Sequence, residues 1–174
     1  MDYTVPLLWI HLSAIVTWIG LWFNTLLAFN SLRRFVPDSA RASFISTLRK
    51  RYLTITWAAI AVFIVTGTIL METNENYPGF GHFFDNSWAT LVVLKHIIVI
   101  IMLAVSFTLL YGILPRMATA IIGGDKLGEE RLLRREKLAV AALATLGLAV
   151  LLIIVTVAEL PESGETAALV GCLL

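Results

Sequence analysis

Four apolar blocks dominate this chain, at about residues 6–30, 52–72, 88–114 and 138–159. A bilayer's hydrocarbon core, about 30 Å thick, takes roughly 20 helical residues to cross, and each block is long enough. Hydrocarbon offers no partner to a free backbone N–H or C=O, so each block must close its own hydrogen bonds as a helix. With 59% hydrophobic and only 14% charged residues among 174, the chain carries more apolar surface than a soluble domain of this length can hide. The reading is all-α: a polytopic membrane four-helix bundle, with residues 1–174 forming a single four-span domain in the lipid bilayer. The first block has no basic n-region and is too long for a signal peptide's apolar core, so it reads as a retained span.

Charge orients the spans. Arg33, Arg34, Arg41, Arg49, Lys50 and Arg51 lie between spans one and two, and Arg116, Lys126, Arg131, Arg134, Arg135 and Lys137 between spans three and four. These are twelve of the thirteen basic residues; the thirteenth, Lys95, is inside span three. The loop holding Glu75 and Asp85, and the tail holding Glu162 and Glu165, have none. The positive-inside rule therefore predicts a multi-pass protein of the cell membrane with both basic loops cytoplasmic and both termini outside.

The basic loops read as orientation devices, not as nucleic-acid or nucleotide sites. Residues 33–51 are amphipathic, with Phe35, Phe44, Ile45 and Leu48 suited to lie on the lipid surface. Gly123-Gly124 reads as a helix stop, followed by a charged helical lead into span four whose alternating signs suit a solvated face. The outer loop at 73–87 is aromatic and carries His82, a surface histidine and the weaker metal candidate. The one cysteine, Cys172, has no intramolecular partner for a disulfide.

Ionisable residues inside spans mark function by default. Here they are His11 in span one, and Lys95 with His96 in span three. At about 1.5 Å rise per residue, both imidazoles lie roughly 9–12 Å below the outer surface, within about one turn of each other. Two histidines at one depth on two helices suit a clamp, and bundles house cofactors between facing helices. Haem b is the preferred occupant, since two axial imidazoles favour electron transfer. Trp18, with Ala14 and Ile15, would line one side, and Val99, Ile100 and Leu103 the other; Lys95 is expected to snorkel outward to a haem propionate. Copper, another metal or proton role, and a purely structural histidine pair remain open beside it. On the haem reading the protein is a b-type cytochrome more than a stand-alone enzyme. It would exchange electrons with a quinol and a redox partner protein, or within a larger membrane complex.

His11 followed by Trp18 and Gly20, Thr66-Gly67 near the end of the next span, and Lys95 in a span ending near Pro115 form a pattern over residues 6–116. It resembles the copper-resistance D (CopD-like) membrane family, and that resemblance implies copper transport or copper resistance. Thr17-Trp18 and Lys95 also resemble the HemJ-type membrane haem proteins, which implies protoporphyrinogen oxidation.

Overall fold

The computed structural model describes residues 4–29, 35–74, 77–79, 81–82, 84 and 86–158. Expectations for Arg33, Arg34, Glu75, Asp85, Cys172 and the C-terminal tail fall outside these residues. Helix α1 spans Thr4–Asn24 and runs on as a π-helical stretch, Thr25–Phe29; α2 is Asp38–Glu72. Helix α3, Ser87–Phe107, continues through a second π-helical stretch, Thr108–Ile113, into α4, Leu114–Ile122; α5 is Lys126–Ala158. Four helical rods are long and apolar enough to cross a membrane, and no strand occurs among the described residues.

The ends of the rods follow from local chemistry. Asn86 starts α3 by accepting a 2.7 Å bond from the Ala89 N–H, which satisfies one of the unpaired amides of the first turn. Asp125 does the same for Gly128 at the start of α5, at 2.9 Å. Between them the predicted stop at Gly123-Gly124 is real: α4 ends at Ile122 and Gly124 takes φ +68°, a left-handed conformation that suits glycine.

Helix α1 packs on α2 and α5; α3 packs on α5, and α4 on α2 and α5. This order sets the first and third spans across the bundle from each other. The second span meets the third chiefly through α4, at the end carrying the basic segments. Gly147 of α5 admits Ile19 of α1: a Cβ there would stand 2.9 Å from Ile19 Cγ2. Gly20 faces open space. Ile64, Ile100, Leu152 and Val155 are exposed at 61–69%, as expected for side chains facing lipid.

Two helices run further than the apolar pattern indicated. Helix α2 begins at Asp38, so the amphipathic segment is its N-terminal extension and not a separate surface helix: Ile45 is buried in the main core and Leu48 packs against it. Only Phe35 stays exposed, at 84%. Helix α5 likewise takes in the charged lead from Lys126, and the paired extensions bury even Glu136, which the pattern had on a solvated face.

Candidate functional site

One face of α1 carries His11, Ile15, Trp18 and Trp22 at spacings of four, three and four, the period of a buried helical stripe. Ile15, Trp18 and Trp22 are buried, and His11 forms the half-buried N-terminal end of the stripe. Helix α2 answers with Tyr52, Thr56, Ala59, Phe63 and Thr66 at matching spacings, running the opposite way. The register is tied at both ends. Toward the basic segments, Tyr52 meets Trp22 edge-on and bonds Thr25 at 2.8 Å. At the other end His11 Nδ1 lies 2.7 Å from Thr66 Oγ1, with Phe63 edge-on to both His11 and Trp18. Gly67 leaves room for the imidazole: a Cβ there would stand 3.3 Å from His11 Cε1.

Proton bookkeeping fixes the tautomer of His11. Thr66 has one hydroxyl hydrogen, and it goes to the Val62 carbonyl at 2.6 Å. Thr66 Oγ1 therefore accepts from His11, so Nδ1 carries the hydrogen and Nε2 keeps its lone pair. His96 is fixed in the same way: its Nδ1 lies 2.6 Å from the Val92 carbonyl, which can only accept. Among the described residues neither imidazole has a hydrogen bond at Nε2. Binding one nitrogen of a histidine to an acceptor is the usual means of orienting the other toward a metal.

Helix α3 sets these groups by its own stripe, Val92, Lys95, Val99, Met102 and Ser106. Lys95 lies on it, half-buried, and His96 stands on the exposed shoulder. Among the described residues the Lys95 ammonium has neither an ion pair nor a hydrogen bond. His82 is exposed in the outer turn. No three His, Cys, Asp or Glu side chains gather among the described residues.

Inward of the histidines the bundle closes on Ile15, Trp18 and Met102, all buried. Of the side chains expected to line a macrocycle, Val99 and Leu103 pack against this core and Ile100 faces outward. Four buried polar atoms there lack a partner among the described residues: Trp18 Nε1, Trp22 Nε1, Thr56 Oγ1 and Ser106 Oγ. Thr17, Thr54, Thr66 and Thr68 all return their hydroxyls to the carbonyl four residues back, whereas Thr56 and Ser106 do not.

Sequence reasoning found His11, Lys95, His96 and Trp18 but assigned no contact to Thr66 or Phe63. A depth count would have found Thr66, which sits six residues from the outer end of its helix at Glu72, level with His11 in its own span.

Comparison with known proteins adds one finding. A family model described as Copper resistance protein D matches residues 46–160. The match takes in Thr66, Gly67, Lys95 and His96, while His11 and Trp18 precede it; the HemJ-type resemblance has no counterpart in it. No curated protein and no solved structure matches the chain.

Proposed function

This chain belongs to the copper resistance protein D family, and from that premise we propose that it takes copper(I) as its substrate between His11 and His96. The observation that carries the reading is the pair of Nε2 lone pairs, each freed because the Nδ1 hydrogen is given to a fixed acceptor. Imidazole suits copper, and copper(I) accepts two ligands, so the pair suffices without a third. The next soft donor inward is Met102, buried on α3 about 9 Å deeper. The positive-inside rule sets the histidine end of this single four-span domain at the outer face of the cell membrane, so copper arrives from outside.

A second reading is favoured by one observation, the unpaired Lys95. An ammonium beside a copper(I) site repels the ion, whereas it suits a carboxylate. His11 and His96 would be the residues to hold a haem b, and Lys95 would be available to a propionate. Haem, when bound, supplies one-electron transfer, for which a quinol and a partner protein or larger complex would be needed.

Copper(I) titration of the detergent-purified full chain against a chromogenic chelator tests the first reading, with an absorption spectrum taken on the same sample. The expected result is one copper per chain, weakened more than about a hundredfold by His11→Ala or His96→Ala, since loss of a ligand should exceed the 10–100-fold typical of its supporting partners. Copper binding unchanged by both substitutions would overturn the copper site. A haem spectrum that both substitutions alter, without copper binding, would establish the second reading.

A further inference from the structure

At the end of the bundle carrying the basic segments, the third and fourth spans flank an open pocket of about 260 Å³ lined by Thr108, Gly112, Ile113, Arg116, Leu132, Arg135 and Leu138. Its shape begins with the chain. The π-helical stretch Thr108–Ile113 ends against Pro115, and Gly112 within it presents no side chain; a Cβ at Gly112 would meet nothing within 4 Å. The wall of the third span is thereby set back from α5.

Two arginines, both exposed, line this pocket, and neither Arg116 nor Arg135 has an ion pair or hydrogen bond among the described residues. The remaining wall is mostly apolar, and Leu138 is 66% exposed toward the surroundings of the bundle. Arg116 lies six residues before the end of α4 and Arg135 nine after the start of α5. At 1.5 Å rise the helical hairpin therefore projects about 9–13 Å beyond the arginines. They stand where the apolar part of each span gives way to its charged extension, the level of lipid phosphates.

We infer that this pocket binds the headgroup of an anionic phospholipid, the two arginines taking the phosphate and the apolar wall receiving the first part of an acyl chain. Arginine suits this work because its planar fork bonds phosphate oxygens in pairs. Basic pockets between spans on the cytoplasmic side are a recurrent way of holding such lipids. A soluble phosphate would satisfy the arginines but has no use for Ile113, Leu132 and Leu138, so the mixed lining favours the lipid. The proposal does not depend on what the histidines bind.

The test is native mass spectrometry of the full chain released from nanodiscs of equal phosphatidylglycerol and phosphatidylcholine with matched acyl chains. The wild type should retain one phosphatidylglycerol with roughly a tenfold or greater preference, as two arginines near a lipid surface imply. Arg116→Gln with Arg135→Gln should bring the preference near unity, while Arg131→Gln with Arg134→Gln, equal in charge loss, should leave it. Gly112→Leu, which keeps both charges and fills the pocket, should also lower it. Equal loss in both arginine pairs, no preference in the wild type, or displacement of the lipid by millimolar inorganic phosphate alone would overturn the inference.

Discussion

The hydroxyl of Thr66 is the smallest feature on which the site depends. It passes its one hydrogen to Val62 and takes another from His11, so a single side chain fixes both the rotation and the tautomer of that imidazole. Thr66→Val keeps the shape and removes the acceptor. Loss of such a supporting partner typically costs 10–100-fold in metal affinity, so copper binding should weaken by about that factor. Thr66→Ser should restore it, whereas a merely steric role for Thr66 would leave the serine variant as weak as valine or the valine variant as tight as wild type. At this scale the sequence was readable where chemistry stands out against its surroundings: two histidines and a lysine in apolar helices. Thr66 and Phe63 do not stand out, because threonine and phenylalanine are ordinary in membrane helices and their meaning comes from antiparallel register. The side of α3 that Lys95 takes was not legible for a related reason. Neighbours on a helix differ by about 100°, and only the packing of α3 on α5 decides which of Lys95 and His96 turns inward.

Among the elements, the third span is the least regular. In a π-helical register the carbonyl of Leu110 would pair with the N–H of residue 115, and that residue is proline, which has none. The orphaned carbonyl is taken by Arg49 of α2, whose Nε lies 2.6 Å away while its guanidinium stands 5.6 Å over the Tyr111 ring. Trp57 adds a 3.2 Å bond to the Tyr111 hydroxyl. A basic residue that charge counting assigns to orientation thus also clamps the second span to the third. Arg49→Met removes the donor and leaves Leu110 C=O buried without a partner, which should destabilise the folded protein by about 1–3 kcal/mol. Unfolding in detergent measures this, and a variant as stable as wild type would show that the clamp contributes nothing. The π-helical stretches were not legible beforehand, since hydropathy reports that a segment is apolar and helical but not how its hydrogen bonds are offset. The N-terminal extensions of α2 and α5 escaped for a different reason. Their charged residues resemble loops singly, and only as packed neighbours do they bury Ile45 and Glu136.

For the whole molecule, hydropathy was enough to establish four spans and an all-helical fold, because a bilayer permits little else. Orientation rests on the basic residues, and the sequence's single cysteine, Cys172, makes it testable. A membrane-impermeant maleimide should label Cys172 in intact cells, and labelling only after lysis would reverse the proposed topology. What hydropathy could not settle is the occupant of the outer end, because one histidine pair suits either copper or haem. Family membership and the closed core inward of the histidines favour the smaller guest. The most direct measurement is copper K-edge X-ray absorption on the full chain loaded with one equivalent of copper(I). Two imidazole nitrogens as the only near ligands, reduced to one in His96→Ala, are the predicted result. A first shell dominated by sulfur, or one unaltered in both His11→Ala and His96→Ala, would contradict it.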